Sequence, residues 1–380
     1  MRVADNWWRR PRRPYARRRE ISKFRRLIAH FVLVTVAACD VMLPPPKPTE
    51  PSTPSGELPP LEQVPFDKLA PGKIVFERLA TDGRSVGGVY VIDASAKRTF
   101  PSINYRTKAA AAPAVAPDGR SVAFTAYAPD VPCCGVQLHI ADIDGSTIRR
   151  IGFHPTGPNS SPSWTPDGAQ VIVRVTDRLG TIVYRQAPAL TTSATQVKLF
   201  ETTPDSTWLL SGPIAASPSG RLVFKVSRAS RYPVRIGLSG IFAMNAEDTE
   251  MVRLYSSPDS NFHTFAPTWS PDGRRIAFLG GIVDPLTRQW TTTVELMNED
   301  GTGHTRITTV GTAGSNASGY FGGPNAFSLC WSADGSRIVF SAPHQYLLWH
   351  VFVVRADGIG GVTAVTNASG VQDTEVSCSR

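Results

Sequence analysis

Apolar and polar positions alternate over short runs along most of this chain, and Pro, Asp and Gly cut the runs at recurring intervals. The clearest case is Thr268 to Phe278, TWSPDGRRIAF. Trp269 leads into Ser-Pro-Asp-Gly, and the apolar run Ile276, Ala277, Phe278 follows. Pro271 presets φ at the second turn position, Asp272 favours the bend, and Gly273 supplies a positive φ. The stretch predicts a hairpin of two short strands. A single hairpin of this length has too little apolar face to stand alone in water.

The pattern recurs. Ala114 to Phe124 reads AVAPDGRSVAF, Ser163 to Val173 reads SWTPDGAQVIV, Ala215 to Phe224 reads AASPSGRLVF, and Cys330 to Phe340 reads CWSADGSRIVF. A worn copy, PGKIVF from Pro71 to Phe76, stands first. The anchor glycines Gly72, Gly119, Gly168, Gly220, Gly273 and Gly335 are separated by steps of 47, 49, 52, 53 and 62 residues. Strand-like segments follow each hairpin, such as GVYVID (Gly88 to Asp93), VQLHIAD (Val136 to Asp142) and VFVV (Val351 to Val354). Further turns stand at Asp144-Gly145, Asp300-Gly301 and Asp357-Gly358. Four short β segments per unit is the pattern of a propeller blade, at a period slightly longer than the roughly 40–45 residues of a typical one. The Val183 to Phe200 region, rich in Thr, Ser and Ala, fits the pattern least well.

The repeated Trp-Ser-Pro-Asp-Gly-x-x-Ile-Ala-Phe resembles the TolB-type, WD-like β-propeller repeat of bacteria, over roughly residues 70 to 380. The resemblance implies an all-β, six-bladed β-propeller with four-stranded blades. The first unit lacks an innermost strand of its own, whereas Asp373 to Ser379 resembles one with no blade after it. The C-terminal segment is therefore expected to close the ring. TolB carries a small α/β domain before its propeller, and the segment ahead of residue 66 is too short to be one. Contacts made through that domain do not carry over.

Residues 1–39 differ in kind. Arg9, Arg10, Arg12, Arg13, Arg17 to Arg19, Arg25 and Arg26 precede the uncharged stretch Leu27 to Ala38, which ends in Val36-Ala37-Ala38-Cys39. A basic region, a short apolar core and small residues before a cut describe an export signal. The last four residues resemble a lipobox, which implies that Cys39 becomes lipidated and anchors the protein to a membrane. An uncleaved anchor is the alternative, although Asp40 interrupts a stretch already short for a span. Residues 40–65 are a Pro-rich linker suited to an extended spacer, and 66–380 form the propeller domain.

The chain's formal charge of +9 is accounted for by residues 1–39, so the remainder balances. A nucleic-acid binder needs a basic face in the folded domain, and nucleic acid is not an expected partner. Apart from Cys39 there are Cys133, Cys134, Cys330 and Cys378. In an exported protein these are free to pair, and the sequence leaves the pairing open. The adjacent Cys133 and Cys134 lack the spacer of a zinc site. Of the seven histidines, only His263 falls where it could face a central channel, so no metal or cofactor is expected. Ser217-Pro218-Ser219-Gly220 does not supply a nucleophile elbow, and no phosphate loop or dinucleotide fingerprint is present. The repeated Asp118, Asp167, Asp272 and Asp334 read as turn residues, and Trp164, Trp269 and Trp331 as packing between blades.

Aligning the units places Asn159, Ser211, Thr264, Asn325 and Asp373 at or near one end of the innermost strands, with His263 beside them. Tyr320 and Phe321, in the loop Gly311 to Pro324, are further candidate contacts. These eight residues are the expected binding site. The function read from the sequence is a monomeric, lipid-anchored, exported scaffold that binds an envelope protein or glycan and catalyses nothing. The competing reading is a propeller hydrolase or lyase acting on envelope polysaccharide or peptide.

Overall fold

The computed structural model describes residue 61 and residues 63–380, apart from 81–86, 106–109, 128–135, 152–158, 178–179, 188–196, 203–207, 230–235, 246–250, 258–261, 285, 288–289, 314–326 and 344–347. The export signal, Cys39 and most of the linker lie outside the described residues, as do Cys133, Cys134, Tyr320, Phe321 and Asn325.

Blade 1 begins with β1 (Lys73–Ala80), β2 (Gly87–Asp93) and β3 (Arg98–Tyr105). Blade 2 is β4 (Ala110–Val115), β5 (Ser121–Tyr127), β6 (Val136–Asp142) and β7 (Ile148–Arg150). Blade 3 is β8 (Asn159–Trp164), β9 (Val171–Asp177), β10 (Gly180–Gln186) and β11 (Val197–Thr202). Blade 4 is β12 (Trp208–Ala216), β13 (Leu222–Ala229), β14 (Ile236–Met244) and β15 (Val252–Ser256). Blade 5 is β16 (Phe262–Trp269), β17 (Arg275–Val283), β18 (Trp290–Asn298) and β19 (Thr305–Ala313). Blade 6 is β20 (Leu329–Trp331), β21 (Arg337–Pro343), β22 (Trp349–Arg355) and β23 (Val362–Ala364). The last strand, β24 (Val371–Cys378), returns to pair antiparallel with β1 and completes six four-stranded sheets. The innermost strands contact one another in the cycle β24, β4, β8, β12, β16, β20 and back to β24, so the ring is closed by the C-terminal segment, as the repeats predict.

The turn chemistry is as the sequence reads. Gly119, Gly168, Gly220, Gly273 and Gly335 sit at φ of 69°, 69°, 82°, 72° and 67°. Each donates its N–H to the carbonyl three residues back, as Gly273 does to Ser270 at 2.9 Å. Asp272 accepts from Ser270 Oγ (2.6 Å) and Arg274 N (3.1 Å), and Asp334 accepts from Ser332 Oγ (2.6 Å) and Ser336 N (3.0 Å). These carboxylates build the turns and hold their pKa below the ordinary value through those hydrogen bonds. Trp164 donates Nε1–H to Ala114 O of blade 2 at 2.8 Å, which is the blade-to-blade packing expected of it.

Both faces of each sheet are buried against neighbouring blades. Ile276, Phe278 and Met297 pack with Val223 and Ile241 of blade 4, while Ala277, Leu279 and Leu296 pack with Leu329 and Ile338 of blade 6. Alternation along a strand therefore serves two interfaces, which is why these runs are apolar on both sides.

Closure is reinforced at two levels. Ser379 N–H donates to Lys73 O (2.9 Å) and Arg380 N–H to Pro117 O (3.0 Å). Cys330 on β20 and Cys378 on β24 form a disulfide with a Cα–Cα distance of 5.6 Å, settling one pairing the sequence leaves open.

Candidate functional site in the central channel

The innermost strands do not run straight. In blades 2 to 5 the register of the innermost pair slips at one place: between Ala111 and Ala114 in β4, Ser160 and Ser163 in β8, Ser211 and Ala215 in β12, and Phe265 and Thr268 in β16. Pairing of β24 with β1 slips between Val75 and Glu77. At each slip one residue takes a positive φ: Ala112 (58°), Ser161 (50°), Gly212 (78°), Ala266 (46°) and Glu375 (58°). Four of these precede prolines, Pro113, Pro162, Pro213 and Pro267. Proline disfavours the right-handed helical region for the residue before it and cannot donate to a ladder, so a proline inside a strand marks a bulge. Such backbone costs about 1–3 kcal/mol per non-glycine residue and concentrates at functional surfaces.

The bulges and the strand ends beyond them enclose a cavity of about 140 Å³ on the axis. Its wall includes Pro113, Pro162, Pro213 and Pro267, the hydroxyl residues Ser161, Ser163, Thr268, Ser328 and Ser377, and Glu375. Several of these groups tie adjacent blades together. Ser377 Oγ accepts from Val115 N (3.1 Å), Ser328 Oγ accepts from Val376 N (2.6 Å), and Ser163 Oγ donates to Ile214 O. Glu375 accepts from Ala112 N. Burial pushes the Glu375 carboxyl up to about 7, and burial, with the nearby Glu375 charge, holds Glu77 well above the carboxylate range.

One position on the second strand faces every bulge. The residue just before each bulge pairs with Glu77 in blade 1, Thr125 in blade 2, Arg174 in blade 3, Lys225 in blade 4 and Leu279 in blade 5. Arg174 is buried and donates Nη1–H to Leu210 O (2.9 Å) and Nε–H to Ser160 Oγ (3.2 Å). Lys225 is also buried, its Nζ 4.1 Å from the centre of the Phe265 ring.

Among solved structures, a protein assigned as TolB from Agrobacterium tumefaciens matches with a TM-score of 0.51 at 15% identity, over 82% of this chain and 100% of that one. A chain of the nidogen/laminin complex matches with a TM-score of 0.53 at 11% identity, over 81% of this chain and 99% of its own. The fold is that of a TolB-type propeller. No protein-family model matches the chain, and no curated protein does.

In this propeller the sequence-derived site residues have different fates. Asn159, Thr264 and Asp373 occupy equivalent positions two residues before their bulges, whereas Ser211 stands one residue before its own. Asp373 is fully buried and holds Arg78 through two bonds, Nε to Oδ1 (2.7 Å) and Nη2 to Oδ2 (2.9 Å). It is a fixture of the closing strand. Thr264 is fully buried as well. His263 stacks on Trp290 at 6.0 Å between centroids and 12° between planes. Asn159 and Ser211 are placed by their strands. Among the described residues, no group of three or more His, Cys, Asp or Glu could hold a metal ion. Sequence reasoning missed Glu77, Arg174 and Lys225; their signal is a charged residue within an otherwise apolar second strand, KIVFE, VIVRV and LVFKV.

Proposed function

We propose that this TolB-type propeller is a non-catalytic binding scaffold of the cell envelope, exported and held at a membrane by lipid on Cys39, which takes an envelope protein or glycan at its central channel. The observation that carries the reading is the channel wall itself. It is a concave surface of prolines, bulged backbone and hydroxyls, several already fixed by bonds between blades, and a site that is rigid before binding pays little ordering entropy. Acylation of Cys39 supplies the anchor, at ~0.8 kcal/mol for each buried CH₂ group. Among the described residues no helix is long and apolar enough to cross a membrane.

The test uses Thr268, which lines the cavity and is half-buried. Thr268→Tyr places a phenol in the channel without touching the ring closure. The immobilised wild-type domain is expected to retain a specific protein or glycan from solubilised envelopes, and the blocked variant to release it. Retention unchanged by Thr268→Tyr moves the site elsewhere. Turnover of an envelope polysaccharide or peptide by the purified domain overturns the non-catalytic reading, and wild-type protein that never takes up a lipid label removes the anchor.

A further inference from the structure

We propose that the channel holds an oxyanion, a carboxylate or phosphate carried by the ligand, at a site formed by Arg174, Lys225 and the open backbone at Gly212. The proposal deepens the binding reading above by naming the chemistry the site accepts.

The two cations flank one short stretch of the blade 4 inner strand. Arg174 reaches across from blade 3 and bonds Leu210 O. Lys225, on the neighbouring strand, stands opposite Ser211 in the register. The next residue is Gly212, at φ 78°, and a Cβ built there would meet no atom within 4 Å. Open space therefore adjoins the stretch that both cations flank. At the other bulges a side chain fills the equivalent position, as Glu375 does on β24.

Among the described residues, neither cation has a carboxylate partner. Arg174 spends two of its N–H donors on Leu210 O and Ser160 Oγ, and a guanidinium has five. Lys225 has the face of Phe265 and, among the described residues, no ion pair. Burial alone lowers Lys225 to about 8 and Arg174 to about 10, with no opposing contribution from an acid. The acidic groups at the same level, Glu77 and Glu375, belong to blade 1, two blades from Arg174 and three from Lys225 around a ring of six. The charges are thus segregated across the channel.

Burying a lone charge costs several kcal/mol unless something pairs with it. Arg174 repays part of this through its two acceptors. Lys225 receives a cation–π contact, worth about 2 kcal/mol when desolvated. A buried amine with no counter-ion among the described residues, on the strand next to an open space at a glycine, is the arrangement of a site whose counter-ion arrives with the ligand.

The experiment titrates the purified domain at pH 8 with inorganic phosphate and with N-acetylglycine, against sodium chloride at matched ionic strength, by calorimetry in two buffers of different ionisation enthalpy. Saturable binding of at least one of the two is expected, with proton uptake as Lys225 charges fully. Lys225→Met should weaken it by about tenfold or more, the loss of one charge-assisted hydrogen bond. Its melting temperature should equal or exceed that of the wild type, because a lone buried charge has gone. Lys225→Arg keeps the charge and should keep the binding. Preference for phosphate or for N-acetylglycine assigns the anion. Equal affinity in wild type and Lys225→Met, no saturable binding of either anion, or a methionine variant that melts well below wild type overturns the site. Anion binding by a domain that captures nothing from envelopes would sink the scaffold reading and leave this one standing.

Discussion

Arg78 and Asp373 show what one pair of side chains does for the ring. Both are completely buried, and their bidentate contact joins β1 to β24 across 295 residues of sequence. A buried pair of this kind need not outperform an apolar pair, but removing one partner strands the other charge at a cost of about 3–5 kcal/mol. Asp373→Ala is therefore expected to lower the urea midpoint sharply, whereas Thr264→Ser should move it little. Equal midpoints for Asp373→Ala and wild type would show that the remaining contacts of Arg78 are enough to hold its charge. Asp373 is conspicuous in the sequence as a carboxylate at a strand end, and it reads there as a ligand. Its partner lies in the first unit, so nothing local reveals that the carboxylate is already taken.

Among the elements, the inner-strand bulge contributes most to the channel and was the least visible. The turns were legible because Pro, Asp and Gly each act within four residues of one another. The bulges rest on X-Pro steps at Ala112, Ser161, Gly212 and Ala266, where the signal is a proline that a straight strand would not tolerate. Blade 1 makes the same bulge without proline, and puts Glu375 there beside Glu77. Burial raises both carboxyls, so the folded state binds protons more tightly than the unfolded chain. That contribution is complete below the ordinary carboxylate range and fades as pH rises toward about 7. Melting temperature should accordingly fall between pH 4.5 and 7, against the usual trend for salt-bridged acids. Glu375→Gln should flatten the slope. A variant that keeps the full slope would assign it to other groups.

At the scale of the molecule, the repeat period, the number of blades and the source of the closing strand were all readable from spacing, since each unit repeats the same turn. The pairing of Cys330 with Cys378 was not, because four cysteines beyond Cys39 permit several arrangements and only the ring brings these two side by side. Closing a loop of 48 residues restrains the unfolded chain by about 4 kcal/mol in the chain-entropy model. Cys330→Ala with Cys378→Ala should lose much of that, measured as a lower urea midpoint with an oxidised wild-type control. No loss in the double variant would mean that β24 is held by its hydrogen bonds and the Arg78–Asp373 pair alone.

The placement of β24 also sets a clock. While a chain is being made, or drawn through a narrow pore from its N-terminal end, blade 1 stays one strand short until Val371–Cys378 has followed. Until then the inner edge of β1 is unpaired, and pairing across nearly the whole sequence is slow to reward its entropy. The protein thus postpones its own completion until its last strand arrives. Pairing of β24 with β1 is the step that joins the two ends of the ring, and completion of blade 1 waits on it.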